Sequence, residues 1–378
     1  MRRSIRLAIG AGVVLGLSTM LTPLTAGAEG LGGGDVHAVF VQTNDTAGNQ
    51  VVVYRRGIHG DLRFSGRYNT GGIGVALTGA VVDKLASQGS LAYDSSEHAL
   101  ITVNGGSNSI TQFQVDGARL DDRRSVASGG TTPVSITVSG NRLYVLNAGG
   151  TGSVQGFFVD TLHAIPGSAR NLNLTLGLTP QYLNTPGQIG LTPDGRHLIV
   201  TTKANGSDID VFGVSPDGVL SASPTINPSA AAVPFGFTLD PTGDLVVTEA
   251  GTSALTTYAI HADGAVASVG SVTDGLAALC WVAKAGGHYF GANAGSATIT
   301  SYTIGTGDVP TIVSETATDP GTIDLAAAPD GSVLYVETGG ADVIDAFNVH
   351  RDGSLTFTGS SVAPELPGHS GLEGIAVS

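Results

Sequence analysis

Three ionisable residues stand at the ends of apolar runs in the sequence, where short polar loops begin. They are Glu249, Glu337 and Lys203, and a hairpin turn needs neither a carboxylate nor an ammonium at such a position. A carboxylate can activate water as a general base, and an ammonium can polarise a carbonyl oxygen. The sequence therefore indicates a candidate site with Glu249 as the base, Lys203 as its electrophilic partner and Glu337 as a ligand-binding group.

A second pair of carboxylates lies within apolar segments nearer the C-terminus. Asp324 and Glu373 could together perform acid–base chemistry or hold a cation, and simple acceptance of backbone or water hydrogen bonds explains them equally well. Trp281, the only tryptophan, is either a ligand platform or a packing residue. Its neighbour Cys280, the only cysteine, has no basic partner in the sequence of the kind that a thiolate nucleophile needs.

Polar residues in loops and at strand starts complete the ligand-binding candidates. They are Gln188, Asn104, Asn147, Asn293 and His369. The asparagines open loops that also contain glycine, and turn formation explains them more simply than ligand binding does. No His-x-His or His-Glu-x-x-His sequence is present. We therefore predict no metal site and no cofactor, with a divalent cation held by the inner carboxylates as an open alternative.

Seven copies of one short pattern must position these residues. The pattern is an aliphatic residue, two variable residues, an aromatic, one variable residue and then usually Val or Ile. Its aromatics are separated by 59, 44, 55, 46, 44 and 45 residues, and they are Tyr54, Phe113, Phe157, Phe212, Tyr258, Tyr302 and Phe347. A period in this range is typical of radial repeat proteins, in which each repeat is a small sheet that cannot bury its faces alone.

Each repeat also contains strand–turn–strand units, with turns such as 193–195 (Pro-Asp-Gly). Four antiparallel strands per repeat make a propeller blade, so we predict an all-β, seven-bladed β-propeller that covers residues 29–378 as one domain. The first repeat lacks an inner strand, and the C-terminal segment 371–378 is left without a partner. We predict that this segment completes blade 1 and closes the ring, which removes an open sheet edge.

The propeller has two different ends. Turns within the first and second pairs of strands of each blade lie on one end, here called the turn face. The loops between second and third strands, and those between blades, lie on the other, here called the loop face. Lys203, Glu249 and Glu337 are all predicted at the loop-face end of the central channel, where a ligand pocket is expected.

The N-terminal residues 1–28 have the features of an export signal. Arg2, Arg3 and Arg6 precede an apolar stretch, and the small residues 26–28 offer a cleavage site after Ala28. We therefore expect a secreted protein.

The net charge of the mature chain limits the kinds of partner that it can bind. The whole sequence has 17 Lys+Arg and 31 Asp+Glu, so removing three arginines leaves a net charge of 14 − 31 = −17. This charge disfavours nucleic acid and anionic membrane surfaces as partners. We expect a soluble extracellular monomer whose partner is a small molecule.

Several segments resemble those of the seven-bladed lactonase family, which includes propeller-type 6-phosphogluconolactonases and carboxymuconate lactonizing enzymes. They are the Pro-Asp-Gly-Arg turn at 193–196, the Leu-Tyr-Val-x-Asn strand at 143–147 and the Asp-Gly-x-Leu turn at 352–355. The chain looks closest to an exported actinobacterial branch. The resemblance implies a seven-bladed propeller and hydrolysis of a small lactone at the loop-face end of the channel.

The catalytic set that the resemblance implies is matched at one position of four. Glu249 matches the family glutamate, whereas the family histidine corresponds to Gln188 and the two arginines fall at 233–235 and 293–294. The missing arginines would bind phosphate or carboxylate, so their loss argues against phosphogluconolactone and carboxymuconate as substrates. Two functions follow: hydrolysis of another lactone, or non-catalytic binding of a ligand or protein. The sequence leaves open whether the protein is an enzyme.

Overall fold

In a computed structural model, the protein consists of seven four-stranded antiparallel sheets that are arranged as blades around a channel. The structure describes residues 37–240, 242–362 and 372–378. The predicted signal segment and His369 lie outside the described residues. No helix in the described ranges is long and apolar enough to cross a membrane.

Blades 1 to 4 are built in chain order, except that blade 1 takes its inner strand from the C-terminus. Their strands are β1 (Ala38–Gln42), β2 (Gln50–Arg56) and β3 (Leu62–Asn69) in blade 1; β4 (Leu91–Asp94), β5 (Ala99–Asn104), β6 (Ser109–Asp116) and β7 (Arg119–Ala127) in blade 2; β8 (Pro133–Ser139), β9 (Arg142–Asn147), β10 (Ser153–Phe158) and β11 (Arg170–Asn171) in blade 3; and β12 (Gln188–Leu191), β13 (His197–Thr201), β14 (Asp208–Gly213) and β15 (Thr225–Pro228) in blade 4.

Blades 5 to 7 follow the same order. Their strands are β16 (Pro234–Leu239), β17 (Leu245–Glu249), β18 (Ala254–Ile260) and β19 (Val266–Thr273) in blade 5; β20 (Leu279–Ala285), β21 (His288–Asn293), β22 (Thr298–Ile304) and β23 (Pro310–Ala317) in blade 6; and β24 (Thr322–Ala327), β25 (Val333–Thr338), β26 (Val343–Val349) and β27 (Leu355–Val362) in blade 7. The C-terminal strand is β28 (Ile375–Val377), and the short helical pieces are α1 (Gln181–Asn184) and a 3-10 turn at Gly105–Ser107.

The predicted fold and the predicted ring closure are both confirmed. Strand β28 pairs with β1 through Val39↔Val377, Phe40↔Ala376 and Val41↔Ile375. The sheet order β28-β1-β2-β3 gives blade 1 the same four strands as the other blades. The strand is shorter than the predicted segment 371–378, although Glu373 N still donates to Gln42 O at 3.0 Å.

Burial along the inner strands shows which end of the channel is filled. In β8, β16, β20 and β24 the first four residues are buried, and the next two are partly exposed. An inner strand starts at the loop face and ends at the turn face. The channel is therefore filled at the loop face and more open at the turn face.

Candidate functional site

The long connection between blades 1 and 2 fills the loop-face end of the channel. Its last part, residues 83–90, is here called the plug segment. Ser87 Oγ donates to Val134 O in blade 3 at 2.8 Å, and Gln88 N donates to Gly187 O beside blade 4 at 3.1 Å. The plug segment therefore touches inner strands on different sides of the ring.

The plug segment also reaches blade 6. The side-chain amide of Gln88 donates to Val282 O at 2.8 Å and accepts from Val282 N at 3.1 Å. Trp281 Nε1 donates to Ser87 O at 3.0 Å, and the indole is only 3% exposed. Trp281 is thus packed in the channel wall, with its one polar atom bonded to the plug segment.

Lys203 lies fully buried beneath this segment. Its Nζ donates to Ala86 O at 2.6 Å, to Tyr182 O at 2.5 Å and to Thr185 Oγ1 at 3.0 Å. The ammonium also lies 5.2 Å from the centre of the Phe235 ring. Burial lowers the pKa of Lys203 to about 7, against an opposing effect of the nearby Asp83 carboxylate. Lys203 is therefore a cation held among carbonyl oxygens, and it titrates near neutrality.

Asp83 and Glu373 form a hydrogen-bonded carboxyl pair beside Lys203. Asp83 accepts from Ala86 N at 2.6 Å and Ser87 N at 3.0 Å, while Glu373 accepts from the backbone N–H groups of Lys84 and Leu85. Burial raises the pKa of both carboxyls. The two carboxyls share a hydrogen bond and therefore one proton, and the Lys203 ammonium, which lowers the pKa of Asp83, favours Asp83 as the carboxylate and Glu373 as the protonated partner.

Asp324 and Glu337 extend this pair into a cluster of four buried carboxyls, here called the carboxyl cluster. Asp324 accepts from Leu325 N at 2.9 Å, and burial together with the charge of Asp83 raises its pKa to about 7. Neither carboxyl oxygen of Glu337 makes a hydrogen bond of normal geometry with the described residues, although the nearby Gly374 N–H lowers its pKa in part. Burial, followed by the charge of Asp324, raises the pKa of Glu337 well above its usual value. Within the described ranges, no three His, Cys, Asp or Glu side chains are arranged to hold a metal ion.

The carboxyl cluster makes stability depend on pH. In the unfolded chain these carboxyls lose their protons near pH 4, whereas folded Asp324 keeps its proton to about pH 7. Between those values the folded state binds more protons, so stability falls as pH rises. We expect Glu337→Gln, which cannot ionise, to have a higher melting temperature than the wild type at pH 8 and a nearly equal one at pH 4.5. Each kcal/mol gained should appear as roughly 1–2 °C in a domain of this size, because the entropy of unfolding grows with chain length.

Thermal unfolding at the two pH values checks this. Glu315→Gln, at an exposed position on β23, is the matched control and should leave both midpoints unchanged. A Glu337→Gln protein that is less stable than the wild type at pH 8 would contradict an ionisation cost at this position.

Glu249 is held differently from Lys203 and the carboxyl cluster. It is fully buried, and its carboxylate accepts from Ser229 Oγ at 2.6 Å, Ala231 N at 3.1 Å, Thr256 Oγ1 at 2.6 Å and the Tyr258 hydroxyl. None of these donors belongs to the plug segment. The carboxylate joins the end of β17 to the incoming blade-to-blade loop and to β18.

The predicted asparagines share the register of Glu249 at the ends of second strands. Asn104 accepts from Thr70 Oγ1 at 2.6 Å and donates to Thr111 Oγ1 at 2.9 Å, and Asn293 donates to Thr300 Oγ1 at 2.9 Å. Asn147 donates to Ser128 O at 3.4 Å. All three asparagines are fully buried and bond away from the channel. Gln188 instead joins inner strands, because its Oε1 accepts from Phe237 N at 2.6 Å.

Glu337 does not share that register. In blade 5, Glu249 pairs with Ala254, the first residue of the third strand. In blade 7 the corresponding residue is Thr338, which pairs with Val343, so Glu337 lies one residue earlier on its strand than Glu249 does. Successive residues of a strand point to opposite faces of the sheet. The structure therefore separates the three ionisable residues first picked out: Lys203 joins the plug segment, Glu337 joins the carboxyl cluster, and Glu249 contacts neither.

Sequence reasoning missed Asp83, although a signal was present. The repeat aromatics lie 59 and 55 residues apart across the blade 1–2 and blade 3–4 connections, against 44 to 46 elsewhere. The first long interval contains the plug segment, and the second contains α1 and both Tyr182 and Thr185, which bond Lys203. Extra length in those two intervals marked the segments that enclose the site.

Comparison with solved structures shows the class of this fold. The chain is similar to a candidate 6-phosphogluconolactonase from Bacteroides fragilis, with a TM-score of 0.71, 16% identity, and coverage of 91% of this chain and 98% of that one. It is similar to another from Bacteroides uniformis, with a TM-score of 0.72, 17% identity, and coverage of 91% and 100%. The periplasmic gluconolactonase of Pseudomonas aeruginosa gives a TM-score of 0.71, 15% identity, and coverage of 90% and 99%.

The protein is therefore a seven-bladed β-propeller with the fold of these lactonase-like propellers. No protein-family model matches the sequence, and no curated protein matches it significantly. The predicted resemblance is confirmed at the level of the fold.

Proposed function

We propose that the protein hydrolyses a small neutral lactone at the loop-face end of its channel. The observation that carries the proposal is the Lys203 ammonium, which is buried, already holds a carbonyl oxygen at 2.6 Å, and lies beside the carboxylate of Asp83. A buried donor of this kind stabilises the negative oxygen that develops during attack on a carbonyl. The fold shared with a periplasmic gluconolactonase is in agreement.

The reaction needs one base, one electrophile and one acid. Asp83 takes a proton from water while the water oxygen bonds to the lactone carbonyl carbon, and Lys203 stabilises the resulting oxyanion. When the tetrahedral intermediate collapses, the ring C–O bond breaks and the ring oxygen takes the proton held by Glu373. The proton gained by Asp83 restores the shared proton of the pair. Lactone and water are consumed, and one hydroxy acid is produced.

Charge at the site selects the substrate class. Asp83, Asp324, Glu337 and Glu373 lie at the channel end, and Lys203 interacts with Asp83. At neutral pH the ionised Asp83 and the partly ionised Asp324 outweigh the partly protonated Lys203, so an anionic lactone would meet net negative charge there. A neutral sugar-type lactone avoids this cost, and its hydroxyl groups can bond to carboxyl and backbone oxygens.

Two substitutions distinguish Asp83 from Glu249 as the base. We expect Asp83→Asn to lower kcat on glucono-1,5-lactone by about 10²–10⁴-fold, the usual contribution of a general base. We expect Glu249→Gln to lower the melting temperature while kcat changes little, because its carboxylate accepts four hydrogen bonds that all lie outside the plug segment. A large loss of kcat in Glu249→Gln with little change in Asp83→Asn would instead identify Glu249 as the base. Absence of turnover by the wild type on a panel of neutral lactones would reject the hydrolytic function.

A non-catalytic ligand-binding propeller is the second candidate function. The observation in its favour is that the plug segment fills the channel end and satisfies the polar atoms of Lys203 and Gln88. Saturable binding of a neutral sugar lactone without turnover, measured by calorimetry, would support this function. Turnover that Asp83→Asn abolishes would exclude it.

Export, cleavage after Ala28 and a monomeric state are also part of the proposal, and they rest on the sequence features of residues 1–28 and on the acidic composition. N-terminal sequencing of protein from the culture medium, with its mass in solution, tests all three. A retained signal or a stable oligomer would contradict them.

A further inference from the structure

We infer that a groove on the turn face binds a segment of an acidic polysaccharide, a chain of sugar residues that carry carboxylate groups. The groove lies across the turns of blades 3, 4 and 5 and has a volume of about 1070 Å³. It is at the opposite end of the propeller from Lys203 and the plug segment. The inference is therefore independent of the proposed lactonase function.

Four side chains that can carry positive charge line this groove. They are Arg142, Arg196, His197 and His261. Only in blades 3 and 4, which are neighbours in the ring, does an arginine stand at the end of the turn between the first two strands. Repetition of the blade therefore places two guanidinium groups side by side on the turn face. A guanidinium binds a carboxylate through two parallel hydrogen bonds.

Arg142 extends from blade 3 to blade 4. Its guanidinium donates to Pro216 O, and a Cβ added to Gly195 would lie 4.0 Å from its Nη1 atom. Because Gly195 has no side chain, the Arg142 guanidinium can approach the turn that carries Arg196. The Arg196 side chain is exposed, and its Nε lies 3.8 Å from Asp194 Oδ2 in the same turn. The two guanidinium groups therefore flank one turn of blade 4.

The walls of blades 4 and 5 are joined across the groove. His197 Nε2 lies 3.3 Å from Ala262 O, the residue that follows His261. The two blades also approach each other where a Cβ added to Gly243 would lie 4.0 Å from Pro193 Cδ. These contacts hold the cationic side chains on a fixed frame. A ligand therefore does not have to order the groove before it binds.

Two carboxylates among the cations determine which acidic ligand fits. Asp194 Oδ1 accepts from Thr192 Oγ1 at 2.7 Å and from Arg196 N at 3.0 Å, which keeps its carboxylate at the groove, and Asp244 also lines it. A ligand with negative charge alone, such as polyphosphate, would be repelled by both aspartates. An acidic sugar chain offers carboxylates to the arginines and hydroxyl donors to the aspartates.

The remaining lining also fits a sugar chain. Hydroxyl groups come from Ser215, Ser221 and Thr242, and aliphatic surface comes from Val219 and Ile260. Hydroxyls can exchange hydrogen bonds with those of a sugar, and aliphatic side chains can pack against its C–H groups. A volume of about 1070 Å³ is at the upper end of the ~300–1,000 Å³ of small-molecule pockets, so several sugar residues can be accommodated.

The acidic composition of the whole chain does not prevent this local binding. Exposed charges that are more than ~10 Å apart are largely screened at 0.1 M salt. The charges that line the groove therefore decide the affinity for a short acidic segment. The same screening acts on the contacts themselves, so binding should weaken as salt is raised.

Isothermal titration calorimetry with tetragalacturonate, on the full mature protein, tests the inference. We expect saturable binding that weakens with added sodium chloride. Arg142→Gln and Arg196→Gln should each weaken binding about fivefold or more, because each removes a charge-assisted contact. Arg351→Gln is the matched control, since Arg351 is an exposed arginine in a turn of blade 7 on the same face, outside the groove. Its affinity should equal that of the wild type.

Two further ligands test the chemical class. Maltotetraose, which is neutral, and tetraglutamate, an acidic peptide, should each bind at least about tenfold more weakly than tetragalacturonate. Equal binding of either ligand would overturn the assignment to an acidic sugar chain. The variant Lys203→Met should bind tetragalacturonate as the wild type does, and loss of binding in it would place the ligand in the channel instead.

Two results would overturn the groove itself. One is the absence of saturable binding of tetragalacturonate by the wild type. The other is an unchanged affinity in Arg196→Gln, a variant that should fold because the Arg196 side chain is exposed. The second result remains decisive if Arg142→Gln, which loses the bond to Pro216 O, does not fold.

Discussion

Deletion of residues 371–378 is expected to cost a substantial part of the ~5–15 kcal/mol that stabilises a typical domain, and to cause aggregation. The deletion removes β28 and leaves the edge of β1 unpaired, since Val39, Phe40 and Val41 lose their partners. It also removes Leu372, which is fully buried. Thermal unfolding and light scattering of the shortened and full mature chains measure the effect.

Glu373→Gln is the matched control for this deletion. It removes the carboxyl that interacts with Asp83 but keeps the backbone bond from Glu373 N to Gln42 O and all of β28. The variant should remain monomeric, with a midpoint far closer to that of the wild type. A shortened chain with an unchanged midpoint and no scattering would show that β28 is dispensable for ring closure.

Replacement of Lys203 by methionine is expected to lower kcat on glucono-1,5-lactone by about 10²–10³-fold, the usual effect of removing one oxyanion donor. Methionine preserves much of the buried volume and removes a cation whose burial opposes its charge. The variant should therefore fold, and circular dichroism checks this before kinetics are measured.

Lys284→Met is the matched control, because Lys284 also lies over an aromatic ring, 5.6 Å from the centre of Tyr289, but takes no part in the site. Its kcat should equal that of the wild type. Equal activity of Lys203→Met and Lys284→Met would remove Lys203 from the mechanism.

The fold could be predicted from the sequence because its blades repeat. Each blade repeats the same aromatic and turn positions, and the unpaired C-terminal segment could complete only the blade that lacked an inner strand. In the structure Asp324 lies on the inner strand β24 and Glu373 lies just before the inner strand β28, and both carboxyls interact with Asp83.

The site itself was less predictable, because its central residue belongs to no repeat. Asp83 lies in a connection whose path across the channel depends on tertiary contacts with three other blades. Glu337 and Glu249 looked equivalent in sequence, yet a shift of one residue along β25 puts them on opposite faces of their sheets. The role of Glu249 in catalysis stays a prediction.

The pH dependence of kcat for glucono-1,5-lactone, after subtraction of the uncatalysed rate, tests the central claim most directly. Lys203 must be protonated to stabilise the oxyanion, and its pKa is about 7, so kcat should fall as pH rises through 7. Asp83 must be ionised, and its pKa is raised above the usual value, so kcat should also fall in acid. We predict a bell-shaped profile with its alkaline limb near pH 7, and loss of that limb in Lys203→Met. A rate that stays level or rises to pH 9, or an identical profile in Lys203→Met, would contradict the account.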